Sequence, residues 1–451
     1  MMIPSSSLLY DSARRIVTIL HEAGYIAYFA GGCVRDMILG VSCHDIDIVT
    51  SAKPDEVMGL FPRSRAVGVH FGVVLVPMDG TFFDVATFRK DGVYEDGRRP
   101  VSVSFSTAEK DAQRRDFTVN GLFENPLTGE IIDFVHGKED VEHRIIRSIG
   151  NPRDRFSEDA LRLLRAVRFA VTKGFSIEPV TMTALSECAN LLQKISPERI
   201  RDEFDKILLC PRRREGVELL VETGLMRYII PEIEALIGCE QPPKWHPEGD
   251  VFTHTMMMLD ELPIEEGSAS LELVLSTLLH DIGKPVAMFR EPSGRIRFSG
   301  HDDVGREMSH DILKRLHYSN VVIDAVSFMV GRHMQFINVQ NMREGKVKQF
   351  MASPVFEDEL LLHRADCLCS NGALDNYDYL VEKRVQKAST PILPKPLLTG
   401  KHLIDLGWTP GKEFKSVLDY VFMEQLEGRV CSLKDALMIA RRLHDEQSDV
   451  Q

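Results

Sequence analysis

Apolar and polar positions divide the chain into an N-terminal part with short strands and a longer helical part. Residues 8–20 carry apolar side chains at helical spacing. Apolar runs or strict alternation predict strands at residues 25–30, 45–49, 73–76, 82–88 and 131–135. A hairpin turn is predicted at Asp79-Gly80, and the polar stretch 89–110 is predicted to be a mobile loop. These patterns predict a mixed α/β domain with a small sheet.

The pattern becomes helical after Pro152. Breaks between helices are predicted near Gly174, Pro197, Pro211 and Pro231. An irregular insert is predicted at 289–300, and the Pro-rich stretch 391–396 precedes a final helical arm. The predicted class is therefore a multidomain α+β protein, an α/β head followed by all-α domains. The predicted domain boundaries are 1–150, 151–245, 246–370 and 371–451.

Composition and charge narrow the setting of the protein. The chain has 451 residues, of which 44% are hydrophobic and 27% charged, and no apolar run approaches the roughly 18 residues that span a membrane. The N-terminus lacks the pattern of a signal peptide. Eight scattered cysteines favour reduced thiols and a cytoplasmic location.

The net charge of −13 argues mildly against a nucleic-acid binder, but arginines cluster locally, and a local basic surface is sufficient for RNA. Any single cluster is equally well explained as a solvated helix face. Histidines cluster too: eight of the fifteen lie between His246 and His363, which predicts a second, separate site.

The first candidate site combines a glycine turn with carboxylates on a strand. Gly31-Gly32 follows a strand and opens a helix, where glycine permits close approach of a triphosphate and Arg35 favours its charge. Asp45 and Asp47 alternate on one face of the next strand. Two adjacent carboxylates repel unless a cation lies between them, and Mg²⁺ prefers hard oxygen ligands. Two surface aspartates near a strand end are the alternative explanation.

A third carboxylate, Asp84, lies in the strand predicted at 82–88. If that strand lies beside the Asp45 strand, three carboxylates can hold two metals, one for an attacking 3′-hydroxyl and one for the leaving pyrophosphate. Asp84 instead pairing with Arg89 at a strand end is the alternative.

The order of motifs resembles the bacterial (class II) tRNA nucleotidyltransferase and poly(A) polymerase family. The resemblance runs from about residue 22 to 235 and rests on GGxxRD at 31–36, DxD at 45–47, DAQRRDFTVN at 111–120 and EDALRLLRAVRFA at 158–170. It implies a polymerase-β-like head, tRNA, ATP and CTP as partners, and Mg²⁺ as the metal.

The resemblance also implies roles for individual residues. Asp45 and Asp47 would bind Mg²⁺, and Asp84 stands in the place of the third carboxylate. Gly32 and Arg35 would contact the phosphates of the nucleotide, and Arg115 and Asp116 would hold its sugar and triphosphate. Asp159 and Arg162 would select the base, with Arg165 and Arg168 in support. Gly31, Arg114 and Asn120 complete the expected nucleotide-binding set.

Hydrogen-bonding chemistry agrees with the base-selecting role. Arg162 follows Asp159 by three residues, which predicts one helix face. Aspartate only accepts and arginine only donates, which complements the amino group and ring acceptor of cytosine or adenine. Uracil and guanine reverse that pattern and leave groups unpaired. A plain salt bridge between the two side chains is the alternative.

The identity of the added nucleotides depends on the segment 91–105, which resembles the flexible loop with which CCA-adding enzymes switch from C to A. This favours addition of C, C and A to tRNA. Enzymes that add only part of CCA remain an alternative. Poly(A) polymerase is disfavoured by this loop and by the absence of a long basic tail.

The histidine-rich region resembles an HD domain, a metal-dependent phosphohydrolase module. The resemblance implies that His254, His280, Asp281 and Asp366 bind one metal, that His301 and His333 stand where two-metal versions have further ligands, and that Lys284 contacts a phosphate. Mixed imidazole and carboxylate ligands suit Ni, Mn, Fe or Zn. Such a domain either supports tRNA or hydrolyses 2′,3′-cyclic phosphates or phosphates at damaged ends. A hydrolase with a decayed transferase half is the alternative, and the intact first-site motifs argue against it.

Overall fold

The structure is a computed structural model that describes residues 8–43, 45–67, 72–92, 102–265, 267–386 and 393–448. As far as these residues show, the chain forms two compact units. The first comprises residues up to Ala235 with the short segments 264–267 and 314–318, and the second comprises the rest. Within the described ranges, no helix combines the length and apolar character that a membrane crossing requires.

The first unit contains a seven-stranded sheet and ten helices within the described residues. Its strands are β1 (Ala27–Ala30), β2 (Asp47–Thr50), β3 (Arg65–Ala66), β4 (Val73–Met78), β5 (Thr81–Thr87), β6 (Arg89–Asp91), β7 (Val103–Phe105), β8 (Leu122–Asn125), β9 (Glu130–Asp133), β10 (Ile145–Ile146) and β11 (Ser176–Ile177). Its helices are α1 (Leu8–Glu22), α2 (Gly32–Ile38), α3 (Pro54–Leu60), α4 (Ala108–Gln113), α5 (Gly137–His143), α6 (Pro152–Glu158), α7 (Leu161–Lys173), α8 (Pro179–Cys188), α9 (Pro197–Leu208) and α10 (Arg213–Glu222).

The sheet has the order β3-β4-β5-β2-β1-β8-β9, in which β2 and β5 are parallel and the other neighbours antiparallel. The mixed sheet predicted for the head is thus confirmed. The β4–β5 turn has Asp79 and Gly80 at φ 49° and 85°, as the type I′ hairpin signal of Asp-Gly requires. The sheet places β2 and β5 side by side, and these are the strands that carry the candidate carboxylates.

The helices of the first unit begin and end at local signals. Pro152, Pro179 and Pro197 are the first residues of α6, α8 and α9, where the missing N–H costs nothing. Gly174 ends α7 in the left-handed region at φ 68°. On α7, Leu163, Leu164 and Val167 are among the residues buried completely, so this helix forms part of the core of the unit.

The loop predicted over 89–110 is wrong at both ends. The strands β6 and β7 pair with each other, with Arg89 opposite Phe105, and α4 begins after Thr107, whose hydroxyl accepts from the amide N–H of Lys110. β-Branched and aromatic residues at 103–105 favour pairing. Residues 93–101, which hold most of the predicted nucleotide-switching loop, lie outside the described residues.

Among its described residues, the second unit is helical apart from one small hairpin. Its helices are α11 (Val251–Glu261), α12 (Leu271–Leu279), α13 (Lys284–Ala287), α14 (His301–Arg315), whose last residues group with the first unit, α15 (Asn320–Val330), α16 (Glu344–Met351), α17 (Phe356–Cys369), α18 (Asp375–Gln386), α19 (Gly400–Asp405), α20 (Lys412–Leu426) and α21 (Leu433–Ser448). The insert predicted as irregular forms the hairpin of β12 (Phe289–Arg290) and β13 (Ile296–Arg297). One core centres on Phe336 and Phe350, and a second, on the final arm, centres on Trp408 and Val421.

Candidate active site and metal centre

Three carboxylates lie together where the parallel pairing of β2 and β5 begins. Ile48 pairs with Val85, so Asp47 and Asp84, one residue earlier on each strand, lie side by side. Asp45 lies two residues before Asp47, and all three are exposed while their neighbours Ile46, Ile48 and Val85 are buried. Although the Asp47 side chain reaches solvent, the protein atoms around its carboxyl group partly desolvate it and raise its pKa. The charges of Asp45 and Asp84 raise this pKa further, and the charge of Arg115 opposes them. This crowding of negative charge on hard oxygen donors fits divalent Mg²⁺.

The glycine turn before α2 makes room for an arginine. Gly31 lies at φ 74°, and a Cβ built there would lie 2.8 Å from a terminal guanidinium nitrogen of Arg115. Any other residue would therefore push Arg115 away as well as strain the turn. Arg35, which was expected to contact phosphate, is buried, donates to the side-chain oxygen of Asn120 and forms an ion pair with Asp36 at 2.9 Å.

The Arg-Arg-Asp motif is held by a buried network. Asp116 forms an ion pair with Arg165 at 2.6 Å and accepts from the amide group of Asn120 at 3.0 Å. Burial opposes ionisation of Asp116, but Arg165 and Asn120 together lower its pKa to about 2. The carboxylate is therefore charged, and a chain of polar contacts runs from Arg165 through Asp116 and Asn120 to Arg35.

Asp111 is a positioning residue that the sequence reasoning missed. It is completely buried, accepts from Nε of Arg114 at 2.8 Å and lies 3.1 Å from a terminal nitrogen of Arg115. The two guanidiniums hold the pKa of Asp111 below its usual value against the effect of burial. Its spacing of three and four residues from the arginines within a helical turn is the signal that would have identified it.

The prediction that Asp159 and Arg162 share a helix face is wrong. Asp159 has extended dihedral angles (φ −140°, ψ 103°) and lies between α6 and α7, because its side chain accepts the N–H of Leu161 and begins a new helix. Its other oxygen lies 3.5 Å from Arg199. Arg162 instead forms an ion pair with Glu158 at 2.9 Å. The alternative prediction, a salt bridge between Asp159 and Arg162, is therefore also wrong, because each side chain pairs with a different residue.

Three arginines lie around the ring of Phe169 on α7. The guanidinium carbons of Arg168, Arg165 and Arg35 lie 4.1, 5.1 and 5.5 Å from the centre of its ring. Arg168 also pairs with Glu203 at 3.1 Å. Cations are attracted to the faces of aromatic rings, so the Phe169 ring helps to hold Arg35, Arg165 and Arg168 in place.

Four histidine rings of the second unit present one nitrogen toward a common centre. Nδ1 of His280, His301 and His333 lies 2.7–2.9 Å from the backbone carbonyl three residues earlier in each case. Only a protonated Nδ1 can donate there, so each Nε2 carries the lone pair. The fourth ring, His254, has Nε2 3.2 Å from Asp366. In the neutral rings of His280, His301 and His333, a proton on Nδ1 is the tautomer that a metal at Nε2 requires.

Asp281 lies at the centre of these rings. Its oxygens lie 3.0 Å from Nε2 of His280, 3.3 Å from Nε2 of His301 and 3.8 Å from Nε2 of His333. Burial opposes ionisation of Asp281, but the charge of His280, when that ring is protonated, and the charge of Lys284 hold the pKa of Asp281 well below the usual value. A bound metal would supply positive charge there in place of the proton on His280. Burial lowers the pKa of His333 to about 4, which keeps that ring neutral.

The donor atoms fit a bound metal. Nε2 of His301 and Nε2 of His333 face each other at 3.2 Å, where two lone pairs repel unless a cation or proton lies between them. Nε2 of His254 lies 3.2 Å from Asp366 and Nε2 of His280 lies 3.0 Å from Asp281, both buried and without the geometry of a hydrogen bond. The same holds for Nδ1 of His254 beside Glu248. Groups of three donors within 4.8 Å of one another include His254, His280 and Asp281, and also Asp281, His301 and His333. Two overlapping ligand sets that share Asp281 suit two metal ions.

A cavity of about 720 Å³ opens onto this centre. Its wall includes Asp281, His301, His333 and Asp366, together with Arg295 and Arg297 of the hairpin. Lys284, which was expected to contact phosphate, is bound at 2.6 Å to both Asp281 and Gln241. Its charge therefore already serves the carboxylate in this structure.

Three family models match the chain. The model described as the poly A polymerase head domain matches residues 27–147, and a probable RNA and SrmB-binding site of polymerase A matches 174–237. The HD domain matches residues 251–369.

Two curated relatives and one solved structure agree with these models. A CCA-adding enzyme of Levilactobacillus brevis is 33% identical over 96% of this chain and 97% of its own length. A CCA-adding enzyme of Streptococcus gordonii is 44% identical, but the match spans 49% of this chain and only about half (55%) of that protein. The crystal structure of a Bacillus stearothermophilus CCA-adding enzyme in complex with CTP covers 98% of this chain and all of its own at 28% identity and a TM-score of 0.73.

Proposed function

The chain belongs to the family of CCA-adding enzymes, which are tRNA nucleotidyltransferases, and on that premise we propose that it adds C, C and A to the 3′ end of tRNA from CTP and ATP. The observation that carries this proposal is the side-by-side placement of Asp47 and Asp84 on parallel strands, with Asp45 beside them. These three carboxylates would hold magnesium. The bound metal ions would activate the 3′-hydroxyl and stabilise the leaving pyrophosphate.

The arginines next to the carboxylates would bind the nucleotide. Arg115 lies close enough to Asp47 for its charge to oppose the rise in the pKa of that carboxyl group. The room left by Gly31 lets the guanidinium lie at the glycine turn. A triphosphate at the turn would meet the backbone N–H groups at the start of α2 and this guanidinium. Asp116 and Asn120 would fix the sugar through the same buried network.

Base selection would fall to Asp159 and Arg162 although they occupy different elements. Asp159 is tied to Arg199 at 3.5 Å and Arg162 to Glu158 at 2.9 Å. Each oxygen of Asp159 has one partner and keeps a second lone pair for a base. Nη1 of Arg162 donates to Glu158 and to the carbonyl of Arg155, and Nη2 donates to the carbonyl of Arg114 and keeps one N–H. An acceptor and a donor placed in this way match cytosine and adenine and reject uracil and guanine.

The proposal is tested by Asp45→Ala in the full chain. We expect loss of nucleotide incorporation into tRNA without loss of fold, because one of the three carboxylates is removed from an exposed position. The matched control is Asp55→Ala, an exposed aspartate of α3, which should incorporate CTP like the wild type. A folded Asp45→Ala protein that still incorporates CTP at the wild-type rate would contradict the proposal.

A second activity is favoured by the histidine centre. We propose that His254, His280, Asp281 and Asp366, with His301 and His333, hold one or two divalent transition metals, and that this centre hydrolyses phosphate esters such as 2′,3′-cyclic phosphates at RNA ends. The convergence of four buried imidazole nitrogens on the carboxylates of Asp281 and Asp366 carries this proposal. A bound metal supplies a hydroxide nucleophile. The test offers 2′,3′-cyclic AMP with Ni²⁺ or Mn²⁺: the wild type should open the ring, and Asp281→Asn should not. Equal turnover by both proteins would overturn the assignment.

A further inference from the structure

One carboxylate contacts two histidines at the edge of the metal centre. Oε1 of Glu248 lies 2.8 Å from Nδ1 of His246 and 2.7 Å from Nδ1 of His254. Only 5% of the Glu248 side chain is exposed, and its Oε2 is buried without a hydrogen bond in the described structure. Both imidazoles therefore share one oxygen of a carboxylate that solvent scarcely reaches.

His254 differs from the other three rings of the centre. Nδ1 of His280, His301 and His333 faces a backbone carbonyl, whereas Nδ1 of His254 faces a side-chain carboxylate. A carbonyl supplies a dipole, but a carboxylate supplies a full negative charge, which makes the imidazole a stronger metal ligand. With Glu248 on one side and Asp366 at 3.2 Å on the other, the ring of His254 is held between two carboxylates.

We propose that Glu248 is a positioning residue of the metal centre: it directs Nε2 of His254 toward the metal and holds His246 against the wall of the cavity. This inference rests on the proposed metal-binding function. His246 lines the same cavity as Asp281 and Asp366, and its ring centre lies 5.0 Å from that of His254. One carboxylate thus fixes a metal ligand and a part of the surface that would face substrate.

Two substitutions separate orientation from charge. Glu248→Gln keeps an oxygen beside Nδ1 of His254 but removes the negative charge. Glu248→Ala removes both. We therefore expect metal affinity to fall on the order of 10- to 100-fold in Glu248→Ala, as for other outer partners of metal-bound histidine, and by less in Glu248→Gln.

The experiment titrates Co²⁺ into the metal-free full-length protein and follows the visible absorption of the ion. Imidazole ligands distinguish Co²⁺ in this centre from Co²⁺ at the carboxylates of the head, which offer only oxygen. The matched control is Glu240→Gln, because Glu240 belongs to the same unit and its side chain is 68% exposed. Far-UV circular dichroism and the thermal unfolding of each metal-free variant report that the second unit is folded, because incorporation of CTP would report only on the head.

Weaker binding and an altered Co²⁺ spectrum in Glu248→Ala, with partial recovery in Glu248→Gln and none of these changes in Glu240→Gln, support the inference. Wild-type affinity and spectrum in folded Glu248→Ala overturn it, as does an equal loss in the control. Failure of the wild type itself to bind Co²⁺ through imidazoles overturns the proposed metal centre instead, so the two failures are distinguishable.

Discussion

The substitution Asp159→Asn tests base selection with little disturbance of the fold. Asp159 lies at the start of α7, where asparagine also caps helices, and its side chain is 19% exposed. The change removes a charge that faces Arg199 at 3.5 Å, and an ion pair of this length with solvent contact contributes about 0–1 kcal/mol to stability. The variant is therefore expected to fold.

The effect on base choice is expected to be larger. An aspartate that accepts from the amino group of cytosine makes a charge-assisted hydrogen bond worth about 1.5–3 kcal/mol. Asparagine can turn its amide group to donate to the O4 atom of uracil, which aspartate cannot do. A free-energy difference of about 1.4 kcal/mol corresponds to a tenfold change in kcat/KM. The preference for CTP over UTP should therefore fall roughly 10- to 100-fold, with little change in kcat for CTP.

The assay compares kcat/KM for CTP and UTP on tRNA that ends at the nucleotide before CCA. Asp154→Asn is the matched control, because Asp154 is an exposed residue of the preceding helix, and it should keep the wild-type preference. An unchanged preference for CTP in folded Asp159→Asn would refute the reasoning. So would an equal change in both variants.

Buried polar groups give three further expected outcomes. Asp111→Asn should lower the free energy of unfolding by about 3 kcal/mol and raise KM for CTP. The loss is near the lower end for a broken buried ion pair because Arg114 and Arg115 keep some contact with solvent. An unchanged urea midpoint would contradict this prediction. Mn²⁺ at 100 times its Kd should stabilise the wild type by about 2.7 kcal/mol in a thermal shift but not His280→Ala, and an equal shift in both would count against the centre. Burial raises the pKa of Glu124 in the folded protein. The contribution of Glu124 to stability is therefore present below the unfolded pKa of about 4.3 and is lost as the pH rises through the folded pKa. Glu124→Gln should raise Tm more at pH 8 than at pH 4, and a smaller gain at pH 8 would show that the sign is wrong.

The family and the fold class could be predicted from the sequence because their signals are local. Alternation predicts that Asp45 and Asp47 lie on one face of a strand. Both are exposed while Ile46 is buried, but β2 begins only at Asp47, so the strand is shorter than predicted and Asp45 precedes it. The placement of Asp84 was only conditional, because nothing in the sequence states that β2 and β5 are adjacent and parallel. The comparisons and the sheet order confirm the family and the α/β head followed by helical domains.

Side-chain partners were less accessible to the sequence. Helical periodicity extends through residues 158–162 without a break, so it missed that Asp159 caps a new helix instead of continuing the old one. Arg199 is 40 residues away along the chain, and only the packing of α7 against α9 brings it to Asp159. The shared oxygen of Glu248 depends on how the chain before α11 is folded, which no spacing rule encodes.

The most direct test of the proposed function measures which nucleotides the protein adds to tRNA. Purified full-length protein is offered tRNA that ends at the nucleotide before CCA, with CTP alone, with ATP alone and with both, and the products are separated at single-nucleotide resolution. We expect two added nucleotides with CTP alone, no long extension with ATP alone, and three added nucleotides with both. Long tails from ATP alone, or no extension under any condition, would contradict the proposed function.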